Sequence, residues 1–111
     1  LNQTLAEALA LTSAGGISRS LAFDVIEASA AAAPMLSYRK PLYLHDGAGE
    51  VTFTVALARK DLAVTAAMAE RLGVVLPQTA ITLSQLEAAI AEGMGERDMA
   101  AMVPFMEGQS E

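Results

Sequence analysis

Lys60 is the residue whose surroundings raise the sharpest chemical question. It sits in a mostly apolar run, residues 53–72, reading Phe-Thr-Val-Ala-Leu-Ala-Arg-Lys-Asp-Leu-Ala-Val-Thr-Ala-Ala-Met-Ala-Glu-Arg-Leu. At about 100° per residue this run makes a long helix on which Phe53, Leu57, Val64, Ala67 and Met68 share one arc. Lys60 falls in the middle of that arc, away from the face shared by Arg59 and Glu70. A cation there needs a reason, because an ammonium group taken out of water without a partner is strongly disfavoured. Its stem can lie along the apolar surface with the charge in water, it can pair with a carboxylate from elsewhere, or it can point into a ligand cleft.

Other reactive residue types are sparse. Tyr38, Arg39, Lys40 and Tyr43 form the one basic and aromatic cluster; it could meet an anionic ligand, but a solvated face with amphipathic tyrosines accounts for it better. His45-Asp46 opens a turn-rich segment, His-Asp-Gly-Ala-Gly-Glu. Neighbours on a loop rarely orient each other, and no serine or cysteine nucleophile is indicated beside them, so His45 is not read as catalytic. With no cysteine and a single histidine, a disulfide framework, a thiolate metal site and a histidine-built zinc site are excluded, and no metal is expected. Met94, Met99, Met102 and Met106 read as adaptable core filling.

The elements that must position these residues are helical. A chain of 111 residues makes one domain with one core. Residues 1–14 are strong helix formers, with Leu1, Leu5, Ala8, Leu9 and Thr12 as the stripe, Leu11 widening it, and Gly15-Gly16 ending it. Asn2, Gln3, Glu7 and Ser13 supply its outer face. The chain opens on Leu1 with no capping residue, as if inside a helix that starts upstream. Ser18 caps a second helix reaching about residue 31, with Leu21, Val25 and Ile26 buried. Residues 35–44 form a short helix interrupted by Pro41. Residues 51–55 have strand propensity but no partner strand, so they are expected to be extended and to turn helical near Thr54. Gly73 closes the Lys60 helix. A further helix covers residues 77–92 with Thr79, Leu83, Leu86, Ile90 and Met94 on one face, and Gly93 and Gly95 stop it. Asp98 then caps a last helix holding Met99, Met102 and Val103, in which Pro104 forces a kink or an early end. The polar tail, residues 107–111, is expected to fray. The prediction is an all-α chain, a single domain of five or six helices.

Composition narrows the partners. Apolar residues make up 53% and charged residues 18%, a rich apolar share for so small a chain, so apolar helix faces are expected to meet a second copy in a homodimer. The formal charge of −6, with basic residues scattered, argues against nucleic acid. No apolar run reaches the ~18 to 20 residues of a membrane span, and no signal-peptide pattern is visible. The composition suits a soluble protein of the reducing cytoplasm.

Phe53, then Lys60-Asp61-Leu62, then Gly73 and Pro77 in this order and spacing resemble the C-terminal helical domain of the β-hydroxyacid dehydrogenases. That family includes 3-hydroxyisobutyrate dehydrogenase and tartronate semialdehyde reductase. The resemblance runs from about Leu5 to Phe105, and the Lys-Asp-Leu segment is its most specific part. It implies a fold like the C-terminal domain of 6-phosphogluconate dehydrogenase-type enzymes, and half of an enzyme. The other half, a Rossmann domain that binds NAD or NADP and precedes the catalytic lysine and its asparagine, would lie upstream; Asn2 falls too late to be that asparagine. Lys60 matches the family's lysine that reaches the nicotinamide end of the cofactor, and Phe53 is a candidate for packing in the same cleft. The implied substrate is a small β-hydroxyacid or its semialdehyde. The alternative is a free-standing helical dimerisation module without catalysis.

Overall fold

A computed structural model describes residues 1–109. Among them the chain forms α1 (Asn2–Ala14), α2 (Arg19–Glu27), α3 (Pro34–Leu44), α4 (Val55–Leu72), α5 (Pro77–Ala91), a 3-10 turn (Met99–Ala101) and α6 (Met102–Gly108). No strand occurs among the described residues; an isolated antiparallel bridge joins Thr54 and Asp98. The all-α prediction holds, and residues 51–54 stay non-helical, with Thr54 extended immediately before α4 as expected. Among the described residues no helix is long and apolar enough to cross a membrane. The helices gather into two compact units, Val51–Met99 and the residues on either side of it.

In the flanking unit, α1 packs on α6 and α2, and α2 on α3. Leu9, Phe23, Leu36, Tyr43, Met102 and Val103 are fully enclosed. The inward face of α1 is Gln3, Leu5, Ala6, Leu9 and Ala10, so Leu5 and Leu9 are core as expected while Leu1 and Leu11 are exposed. Gln3, expected outside, is buried, with its amide nitrogen donating to Glu7 Oε2 at 2.9 Å and to Met106 Sδ at 3.4 Å.

Helix α2 differs from expectation in length and in phase. Ser18 caps it, its hydroxyl accepting from Leu21 N–H at 3.1 Å. It ends at Glu27 because Ser29 captures local backbone, donating to Ile26 O at 2.7 Å and accepting from Ala31 N–H at 3.2 Å. Its buried residues are Ala22 and Phe23, while Leu21 and Val25 are exposed. The phenyl ring decides the phase: Phe23 stacks on Tyr43 with centroids 6.0 Å apart, and burying an aromatic outweighs burying two smaller aliphatics beside it.

Arg19, at the start of α2, ties three segments of this unit together. It donates to Asp46 Oδ1 at 2.7 Å, to both Glu107 oxygens at 3.0 and 2.9 Å, and to Tyr43 O at 3.2 Å. Burial works against its charge, but the hydrogen bonds to Asp46 and Glu107 outweigh burial and raise its pKa. Glu107 is therefore held within α6 and does not fray; Ser110 and Glu111 lie outside the described residues. The last helix starts later than expected, at Met102 after the 3-10 turn. That start places Pro104 in the first turn, where an N–H has no intrahelical partner to lose, and the helix continues.

In the other unit, α4 packs on α5. Thr54 caps α4, its hydroxyl accepting from Leu57 N–H at 3.0 Å, and Gly73 ends it at φ 69°, a left-handed conformation suited to glycine. Leu86 and Ala89 are the buried residues of α5, with Leu83 and Ile90 half-buried, on the face the spacing predicts. Arg59 reaches Glu87 across the helix pair at 3.6 Å.

The residues that lead into α4 bond through backbone to the segment that follows α5. Val55 N–H donates to Arg97 O at 2.9 Å, Ala56 N–H to Gly95 O at 2.9 Å, and Met99 N–H to Phe53 O at 2.8 Å. Asp98 does not cap α6. It precedes the 3-10 turn, and its buried Oδ2 accepts from Thr52 N–H at 3.1 Å and Phe53 N–H at 3.3 Å. Asp98→Ala is expected to lower stability by about 1 to 3 kcal/mol, since it leaves these donors without their acceptor. Urea unfolding with an unchanged midpoint would contradict that role.

Candidate functional site

The buried side of α4 combines alanines with Val55 and Leu62. Val55 and Ala69 are buried, and Leu62 and Ala66 half-buried, at helical spacing along one stripe. The arc of Leu57, Val64 and Met68 lies opposite, with exposures of 45%, 59% and 49%. The apolar arc exists as the spacing predicts, but it is an outer surface and not core.

Lys60 is exposed on this outer surface, and among the described residues it has no ion pair or hydrogen bond. The residues one turn away on either side are Ala56, Leu57, Ala63 and Val64, so no carboxylate is within helical reach. Internal pairing, one of the three arrangements open from sequence, is not what the structure shows. Phe53 is half-buried immediately before the Thr54 cap, its backbone fixed on both sides by Asp98 and Met99. Lys60 follows roughly one and a half turns into the helix. A free ammonium above apolar side chains can hold an anionic oxygen while the surrounding surface takes the uncharged part of the same ligand.

The basic and aromatic cluster is dispersed into internal contacts, not gathered into a solvated face or an anion site. Tyr43 is fully buried and its hydroxyl donates to Asn2 Oδ1 at 2.6 Å. Arg39 is buried with its guanidinium over the Tyr43 ring, 5.8 Å from the centroid. Lys40 donates to Asp24 at 2.8 Å and Glu27 at 3.2 Å, and these hydrogen bonds raise its pKa. Only Tyr38 remains exposed. His45 is exposed at the end of α3, and its neighbour Asp46 is engaged by Arg19. Among the described residues no group of three or more His, Cys, Asp or Glu side chains could hold a metal ion. Among the methionines, Met102 is enclosed in the core and Met94, Met99 and Met106 are half-buried.

Among the described residues the chain is all-α, and α4 carries two exposed cations without an ion pair, Lys60 and Arg71. The family model described as NAD-binding of NADP-dependent 3-hydroxyisobutyrate dehydrogenase matches residues 2–106, and the chain belongs to that family. The match takes in α1 to α5 and most of α6, with Phe53 and Lys60 inside it. The resemblance carried by Phe53, Lys60-Asp61-Leu62, Gly73 and Pro77 is thereby shown.

Proposed function

We propose that this chain is the C-terminal helical domain of an NAD(P)-dependent oxidoreductase acting on a small β-hydroxyacid or its semialdehyde. A dinucleotide-binding domain preceding it in the polypeptide supplies the glycine-rich fingerprint and the catalytic lysine. The helical domain closes the cleft over the cofactor and pairs with a second copy. Lys60 contacts a cofactor oxygen near the nicotinamide end, and Phe53 packs beside it.

The observation that carries this reading is the state of Lys60, a cation on an apolar outer face with no ion pair or hydrogen bond among the described residues, in a chain of an NAD-binding family. The exposed Lys60 keeps its charge in water, and an anionic ligand that lies on this face would gain a charge-assisted hydrogen bond from it. The outward apolar face also suits a free-standing dimerisation module. The two readings part on the polypeptide that carries this chain. The enzyme reading expects a glycine-rich strand-turn-helix fingerprint within the preceding ~150 to 180 residues.

Hydride transfer needs the cofactor held and aligned, so the 111-residue chain alone is expected to show no turnover. The polypeptide with its dinucleotide-binding domain is expected to oxidise small β-hydroxyacids with NAD or NADP, followed by absorbance of the reduced nicotinamide. Turnover by the 111-residue chain alone would overturn the division of labour proposed here. A polypeptide without the fingerprint would leave the module reading.

A further inference from the structure

Lys60, Arg71 and Arg97 are exposed, and their side chains make no ion pair or hydrogen bond among the described residues. Arg71 lies near the far end of α4, whereas Arg97 returns to the start of the same helix. The Arg97 carbonyl accepts from Val55 N–H at 2.9 Å and its N–H donates to Met94 O at 3.1 Å, so its backbone is held on both sides. Two residues earlier, Gly95 O accepts from Ala56 N–H at 2.9 Å, and a Cβ at Gly95 would lie 3.9 Å from the Ala56 side chain. Ala56 is one turn before Lys60 on the same helix face. The segment that carries Arg97 is therefore seated against the face of α4 that presents Lys60. Along the helix axis Lys60 is roughly 7.5 Å from Val55, five residues at about 1.5 Å each. The carboxylates beside Arg97 in sequence do not take up its charge: Asp98 is buried with Oδ2 on Thr52 and Phe53 N–H, and Glu96 is exposed without an ion pair.

We propose that Arg97 is a second anion contact of the Lys60 site, holding a carboxylate or phosphate group in its guanidinium fork while Lys60 holds another anionic oxygen. A guanidinium presents paired donors that match two oxygens of one such group, whereas an ammonium meets oxygen as a point charge. The fixed backbone of Arg97 sets where the fork starts, and its free side chain leaves all of its donors to the ligand. In the reaction proposed above, two groups have this chemistry: the cofactor's diphosphate and a second carboxylate on the hydroxyacid. A dinucleotide would draw affinity from Arg97. A dicarboxylate substrate would be selected by it over an acid with one carboxylate.

This inference rests on the proposed cofactor contact of Lys60 and adds a residue to it. The test uses the whole polypeptide, including its dinucleotide-binding domain, with Arg97→Gln, Arg97→Lys, Arg71→Gln and Lys60→Ala variants, each checked for unchanged helicity by circular dichroism. Reduced NAD and NADP are titrated by fluorescence, and KM is measured for β-hydroxyacids with one and with two carboxylates. Arg97→Gln is expected to cost roughly tenfold, the worth of a charge-assisted contact. The loss falls on cofactor affinity if the group is a phosphate, and on KM for the dicarboxylate acid alone if it is a carboxylate. Arg97→Lys, which keeps the charge without the fork, should recover part of it. Arg71→Gln makes the same charge change far along α4 and should alter neither quantity. An equal loss in Arg71→Gln would show a general effect of charge and overturn the contact. An unchanged Arg97→Gln beside a weakened Lys60→Ala overturns Arg97 and leaves the proposed function standing. If Lys60→Ala is unchanged as well, both fall.

Discussion

Lys60→Ala in the enzyme that contains this chain is expected to lower cofactor affinity or turnover by roughly tenfold to a hundredfold while leaving the melting temperature in place. The magnitude follows from a charge-assisted hydrogen bond, worth about 1.5 to 3 kcal/mol. The unchanged stability follows from the surroundings of Lys60: exposed, with Ala56, Leu57, Ala63 and Val64 one turn away and no paired carboxylate among the described residues. Truncation therefore strands no buried partner, which in an internal ion pair would cost about 3 to 5 kcal/mol. Thermal melts and cofactor titration on the same variant check both halves. A large fall in melting temperature with unchanged affinity per folded molecule would return Lys60 to a structural role.

Phe23→Ala is expected to act in the opposite way, on the fold and not on the cofactor. The ring is fully buried, stacks on Tyr43 at 6.0 Å, and has the Lys40 ammonium 5.8 Å from its centroid. Removing a buried phenyl group leaves a cavity as well as losing apolar burial, at a cost of about 3 to 5 kcal/mol. For a domain of this size each kcal/mol moves the midpoint by about 4 to 8 °C, so the melt should shift by well over ten degrees. A loss below about 1 kcal/mol in chemical denaturation would show that neighbouring side chains refill the space.

These two residues also mark where the sequence could and could not be read. The features set within a turn of the chain were legible: the Ser18 cap, the start of α4 near Thr54, the Gly73 stop and the stripe of α5 on Leu86. The order of Phe53, Lys60-Asp61-Leu62 and Gly73 carried the family. Which side of an apolar helix faces inward was less legible. The arc of Leu57, Val64 and Met68 is apolar, yet it is the opposite side of α4, with Val55, Leu62, Ala66 and Ala69, that faces inward. Leu21 and Val25 lost their expected burial to Phe23, whose stacking partner, Tyr43, is remote in sequence. The same remoteness hid the fate of the basic cluster, whose partners are Asn2, Asp24 and Glu27. Asp98 gave a capping signal, but its Oδ2 bonds the backbone of Thr52 and Phe53, more than forty residues earlier in the chain.

The backbone stitch made by Phe53, Val55 and Ala56 with Gly95, Arg97 and Met99 has an architectural consequence. It brings the entry and exit of the α4–α5 segment together, so the segment is a closed loop rooted at a single point. Loop-closure entropy grows only slowly with the length enclosed. Helical turns can therefore be added to or removed from the far end in relatives without moving the root. The tip around Val75 is free to diverge, or to specialise, while Phe53 stays anchored where the chain turns into the Lys60 helix.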